Sequence, residues 1–317
     1  MARPRGYAAW NPKPETLALV GQVQDVLHEY RDHLPLTIRQ IFYRLVGAHG
    51  YDKTERAYSR LCETLVRARR AQMISFHDIR DDGTKSQGGG GYSSVEAFWR
   101  TVKSLGDYFR RDRLAGQPVE IELWCEAAGM LPQLARVASP YSVPVYSTGG
   151  FSSVTVTHEI AERALSRDVP TVFLHVGDYD PSGESIFDAM STDAEHFLLA
   201  AHPHRDETDS KLIRDLRELR GPQLRAKRVA LTGEQVEEHG LPTAPPKRTD
   251  TRSRNWIGET CQAEAMPPDL LASTVREAIE AELDLGVYDA VVKEEAADRE
   301  RIAAVLEDVL PDDDERR

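Results

Sequence analysis

Hydrophobic positions follow two regimes along the chain. Up to about residue 116 they recur every three or four residues, the period of a helix with one buried face. Leu17, Val20, Val23, Val26 and Leu27 predict a helix from about Pro14 to His33. Ile38, Ile41, Phe42, Leu45 and Val46 predict a second, and Thr37 with Gln40 has capping-box spacing at its start. Gly47, His49 and Gly50 end it. A third, from about Lys53 to Ala71, carries Leu61 and Leu65 on one side and Arg56, Arg60, Arg67, Arg69 and Arg70 on another. The stretch from Met73 to Ile79 reads as a short strand pair or a wing. Three helices, the third basic, and a short β segment fit a winged helix-turn-helix, or equally a plain three-helix bundle with a solvated basic face. Residues 81–93 are Gly-rich and predict a mobile loop; no Gly-Lys-Ser/Thr follows at phosphate-loop spacing. Ser94 to Leu114, with Val95, Phe98, Trp99, Val102, Leu105, Tyr108 and Phe109, predicts a helix joining two domains.

From Gln117 the pattern changes. Short apolar runs at Val119–Cys125, Val143–Tyr146, Val169–Val176 and Arg228–Thr232 read as strands. Between and after them Met130 to Ala138, Val154 to Ser166, Ser182 to Met190 and Lys211 to Leu219 read as helices. Such alternation implies an α/β unit with a mainly parallel sheet and right-handed crossovers. Leu241 to Trp256, rich in Pro, Lys, Arg and Thr, reads as an extended loop. Asp269 to Leu283 and Tyr288 to Leu310 read as helices, and Asp312 to Arg317 as a solvated acidic tail. The organisation is therefore a helical, winged-helix-like unit at 1–93, a connecting helix at 94–116, the α/β unit at 117–260 and C-terminal helices with the tail at 261–317.

Composition narrows the class. A chain of 317 residues suits about two domains, and 40% hydrophobic with 29% charged residues is ordinary for a globular protein. No apolar run approaches the ~20 residues of a membrane span. The opening Met-Ala-Arg-Pro-Arg-Gly lacks the apolar centre of a secretory signal, and Cys62, Cys125 and Cys261 are too far apart for a zinc or disulfide framework. The cytoplasm is the expected compartment. A net charge of −12 argues against a broadly basic surface. The acid, however, concentrates after Asp289, while basic residues cluster at 56–70, 100–113 and 247–254.

The candidate chemistry lies in Val169–Gly183. An apolar strand ends in Asp178 and Asp180, followed by Pro181-Ser182-Gly183, where a helix can begin. Carboxyl ends of parallel strands are where open α/β sheets bind ligands. Such aspartates either cap the next helix or, paired at this spacing, hold a divalent cation that removes their repulsion. Glu126 ends an earlier strand on the same sheet edge. Three carboxylates without Cys or His partners suit a hard cation, Mg2+ above all, whose usual chemistry is on phosphates.

A Glu after one strand and Asp-x-Asp after another resembles the Toprim domain of topoisomerases, primases and some nucleases. More narrowly, Gly177-Asp178-Tyr179-Asp180-Pro181-Ser182-Gly183 is similar to the Asp-x-Asp-Pro-x-Gly of the A subunit of topoisomerase VI, a superfamily shared with the meiotic double-strand-break transesterase. There a winged-helix domain precedes the Toprim domain and carries a nucleophilic tyrosine. Arg39-Gln40-Ile41-Phe42-Tyr43 is similar to that motif, with Tyr43 at the nucleophile position and Arg39 at the preceding arginine. Gln40 replaces the family's Asp and Phe42 its first Tyr.

The resemblance is closest to short stand-alone A-like proteins of phages and mobile elements. It implies magnesium-dependent cleavage and rejoining of double-stranded DNA through a phosphotyrosyl link, an isomerase-type activity. Glu126, Asp178 and Asp180 would hold the metal, with Glu126 also catalytic. It implies a homodimer in which the tyrosine of one subunit works with the metal of the other. Arg44, Arg67, Arg69, Arg70, Lys247, Arg248, Arg252 and Arg254 would contact DNA. No ATP-binding signature is present, so full strand passage would need a separate ATPase of the B type. The alternatives are a Toprim nuclease or primase-like phosphotransferase in which Tyr43 only packs, and a non-enzymatic DNA-binding protein.

Overall fold

The structure, a computed structural model, describes residues 8–80, 91–148, 154–200, 224–246 and 251–309. Most of the Gly-rich stretch, the expected helix 211–219, Lys247, Arg248 and the acidic tail lie outside the described residues.

Three helices open the chain: α1 (Pro14–Glu29), α2 (Ile38–His49) and α3 (Glu55–Arg70). The capping box forms as read. Thr37 Oγ1 accepts from the Gln40 N–H, and Gln40 Oε1 accepts from the Thr37 N–H. Helix α2 ends at Gly50, whose φ of +64° lies in the left-handed region that glycine adopts freely. Val20, Val23, Ile41, Leu45, Leu61 and Leu65 are fully buried where the three helices meet. The expected strand pair within 73–79 is not what forms. Instead β2 (Ile79–Arg80) pairs parallel with β1 (Leu36–Thr37), just before α2. Register with a strand far upstream replaces a local hairpin.

The second unit has the α/β architecture expected. Strands β3 (Glu120–Cys125), β4 (Val145–Ser147), β5 (Thr171–Val176) and β6 (Leu224–Ala230) form one sheet in the order β4-β3-β5-β6, every pairing parallel. One face presents Ile121, Leu123, Cys125, Val172, Leu174 and Val176. This face joins the same apolar cluster as α1–α3, α5 (Leu131–Ala138) and α9 (Pro268–Glu280). The other presents Trp124, Phe173 and His175 to α6 (Val154–Leu165) and α7 (Pro181–Ala200). A short helix α8 (Gly233–Glu238) follows β6.

Helix α4 (Val95–Asp107) is shorter than read and packs along the long α10 (Leu285–Val309). Arg111 and Arg113 seal that junction through Glu294, Glu295 and Asp298. Among the described residues no helix is long and apolar enough to cross a membrane.

Candidate active site

Because β3 and β5 are neighbours in register, their carboxyl ends lie side by side. The Glu126 N–H donates to the Val176 carbonyl, and the Asp178 N–H donates to Glu126 Oε2 at 3.2 Å. Asp178 Oδ1 accepts from the Ala263 N–H at 2.9 Å. Asp180 Oδ1 accepts from the Gly183 N–H at 2.7 Å, at the start of α7, so Asp180 does cap the helix. One oxygen of each carboxylate is thus fixed by a backbone N–H. The site crowds two glycines: a Cβ on Gly177 would stand 3.0 Å from Glu126 Oε2, and one on Gly183 would overlap the Asp178 carbonyl oxygen. The Asp-x-Asp-Pro-x-Gly loop needs its last glycine for this close approach.

The electrostatics follow from the crowding. Burial, and then the charges of Asp178 and Asp180, push the Glu126 carboxyl up to about 7. Beneath the loop lies Arg228, on β6. It donates to the carbonyls of Leu231, Gly183, Gly177 and Asp178 and pairs with Glu184 at 3.1 Å. Burial depresses its pKa, opposed by the fields of Glu184, Glu126, Asp178 and Asp180. Arg228 is the internal counter-charge of the acidic loop. Sequence reading passed over it because it sat inside a strand candidate with no motif around it.

Tyr43, from the helical unit, meets the segment that binds this loop. Its Oη donates to Gln262 Oε1 at 2.7 Å, and its ring lies under Lys53 Nζ, 5.7 Å from the centroid. Burial raises its pKa well above the ordinary phenol value; Cys261, Asp178 and Glu264 push the same way and Arg39 opposes them. Arg39, one turn earlier, pairs with Glu264 Oε2 at 3.8 Å and is half exposed. Glu264 Oε1 accepts the Thr37 hydroxyl at 2.6 Å. The segment Cys261–Ala265 is therefore part of the site. Its Cys261 pairs with Tyr179, the residue between the two aspartates, in an antiparallel bridge. No motif pointed to it, since it lies some 80 residues downstream and reads as the start of a terminal helical region.

The basic residues scatter. Arg44 turns inward and donates to the Ala265 carbonyl at 3.0 Å. Arg69 is buried, with its guanidinium over Phe76. Arg67 is exposed and Arg70 half-buried. Arg252 and Arg254 are exposed. Arg252 borders a cleft of about 710 Å³ that opens beside Pro181 and Glu184 and is walled by Trp256.

Among the described residues no group of three His, Cys, Asp or Glu side chains is drawn together as a metal cage. The donor chemistry still suits a hard cation: oxygen ligands only, with Glu126 lifted by burial and then by the charges of Asp178 and Asp180. Neither models of known protein families nor curated protein sequences give a match to this chain.

Proposed function

We propose that the protein cleaves and rejoins DNA by tyrosine transesterification, as an A-type subunit of topoisomerase VI does, with a winged-helix-like unit followed by a Toprim unit. The observation that carries the reading is convergence. Tyr43 and Arg39, from one helix, face the segment that binds Asp178, beside Glu126 on the neighbouring strand end. Glu126, Asp178 and Asp180 would hold magnesium; when bound, the cation neutralises phosphate charge and stabilises the leaving oxygen.

The step conserves phosphate esters. The Tyr43 phenol gives up its proton, its oxygen bonds to phosphorus, and one backbone P–O bond breaks as the leaving oxygen takes a proton. Reversal rejoins the strand. Arg39, half exposed and one turn before Tyr43, would hold the phosphate. Arg67, Arg252 and Arg254 offer backbone contacts. The partners of this reading are double-stranded DNA, a second copy of the chain and a separate ATPase.

One observation favours a second reading, a Toprim nuclease without a tyrosyl intermediate. Tyr43 is buried, and its proton goes to an amide oxygen that cannot accept it fully. Tyr43→Phe separates the two. The transesterase reading expects a detergent-resistant protein–DNA adduct in the wild type with magnesium, and none in Tyr43→Phe. Magnesium-dependent cleavage that survives Tyr43→Phe selects the nuclease. Full activity in Asp178→Asn removes both.

A further inference from the structure

Attack of a phenol oxygen on a phosphodiester gathers negative charge around phosphorus, and a cation beside the attacking oxygen lowers that cost. Three cationic side chains lie around Tyr43, and two of them are engaged. Arg44, next to it in α2, donates to the Ala265 carbonyl. Arg39, one turn before it, is divided between Glu264 and Tyr58. The third is Lys53. Among the described residues its ammonium makes no hydrogen bond and no ion pair; it lies over the face of the Tyr43 ring, 5.7 Å from the centroid.

The turn that brings Lys53 there is fixed on both sides. Gly50 reverses the chain at the end of α2. The Tyr51 N–H then donates to the Leu45 carbonyl, and the Tyr51 ring meets Phe42 edge-on. Thr54 caps α3 by accepting from the Ala57 N–H. Between these anchors the Lys53 side chain folds back over α2 and is half-buried. It faces the stretch that also receives the Tyr43 hydroxyl: its titratable neighbours there are Cys261 and Glu259. The Cys261 thiol is buried and pushed up to about 12, so it is neutral at physiological pH. Glu259 accepts from the Thr243 hydroxyl. Burial lowers the Lys53 pKa, and neither neighbour makes up for the lost water. A half-buried ammonium without a paired anion is a costly arrangement that an incoming anion relieves.

We propose that Lys53 is a further substrate-binding residue, its ammonium holding a non-bridging oxygen of the scissile phosphate beside the Tyr43 of its own chain. This rests on the transesterase reading above. The role belongs to the chain that carries the tyrosine, whichever copy supplies the carboxylates.

Two readouts on the full chain test it. Lys53→Met keeps an unbranched stem over the ring and removes the charge; Lys53→Arg keeps the charge. Both should melt within about 2 °C of wild type. The first readout is the rate of detergent-resistant adduct formation on a short DNA duplex with magnesium. At saturating DNA, Lys53→Met should lose about 100-fold, because the contact is strongest in the transition state. The half-saturating DNA concentration should rise by less than about tenfold, and Lys53→Arg should recover much of the rate. An unchanged rate in Lys53→Met overturns the proposal. So does a change confined to half-saturating DNA, which would place Lys53 on a remote phosphate. Equal losses in both variants with lowered melting mean a packing role and overturn it too.

The second readout needs no cleavage. Affinity for the same duplex is measured against salt concentration in a chelator. The slope of log affinity on log salt should shrink by about one in Lys53→Met and stay at the wild-type value in Lys53→Arg. An unchanged slope in Lys53→Met means that no phosphate meets this ammonium and overturns the proposal. If the wild type forms no adduct, the transesterase reading fails by itself, and the salt slope still decides whether Lys53 meets a phosphate.

Discussion

Replacing Glu126 by Gln should stabilise the metal-free protein and, on the proposed function, abolish cleavage. Glu126 Oε2 accepts from the Asp178 N–H, and a glutamine oxygen can keep that bond. What changes is the charge. Burial and the two aspartates lift the carboxyl from 4.5 to about 7. At 1.36 kcal/mol per pH decade, the charged form costs the fold about 3 kcal/mol. The side chain is partly exposed and water screens some of this, so about 2 kcal/mol is the working figure. The sign follows from linkage. The folded pKa lies above the unfolded one, so the folded chain binds the proton more tightly. Stability from this group is complete below about 4.5 and is lost as pH rises through about 7. The assay is thermal unfolding in a chelator at pH 5 and pH 8. At pH 8 the variant should melt about 4 °C higher than wild type, taking about 2 °C per kcal/mol for a chain of this size. At pH 5 the difference should shrink to about 1 °C. Magnesium should close the gap at pH 8, because a cation stabilises the wild-type carboxylates and not the amide. A variant that melts at or below wild type at pH 8 in chelator refutes the reasoning. So does an equal difference at both pH values.

Three further outcomes follow from the same geometry. Gly183→Ala forces a Cβ into the Asp178 carbonyl; a loss of about 1–3 kcal/mol in denaturant melts is expected, and wild-type stability would refute the close approach. Arg228→Ala leaves the loop carboxylates without their counter-charge, and chemical unfolding should show a loss of about 3–5 kcal/mol. Arg228→Lys should recover only part of it, since one ammonium cannot reach all four carbonyls. His175 is fully buried between Phe173 and Phe187, with neither ring nitrogen partnered among the described residues, and burial lowers its pKa to about 3. His175→Leu should therefore hold or gain about 1 kcal/mol at neutral pH. A large loss in urea melts would mean that the imidazole has a partner.

What sequence could reveal depended on how far apart the cooperating residues lie. The capping box at Thr37 and Gln40, the strand ending before Asp178 and the helix beginning at Pro181 are each set by neighbours within a few positions, and each forms as read. Strand order was not local. That Glu126 and Asp178 touch depends on β3 and β5 being adjacent, which alternation of strands and helices permits but does not dictate. The basic side of α3 misled in part. A helix period puts Arg67 and Arg70 near the surface, but Arg69 turns inward over Phe76. Composition cannot tell a solvated arginine from one that packs.

The deepest omission was the segment at 261–265, and its cause is general. A short stretch whose backbone satisfies another loop carries no signature, because any residue with an N–H can do it. Its side chains, Gln262 and Glu264, acquire meaning only once Tyr43 and Arg39 are seen opposite them. The same holds for Gln40. In sequence it only stands where the resembled motif has an aspartate. In the fold it caps α2 through one atom and ties α2 to α5 through the other. A departure from a motif can thus mark a change in how the site is held rather than its decay. Here Gln40 joins the helix of Tyr43 to α5, the helix that follows the strand ending before Glu126.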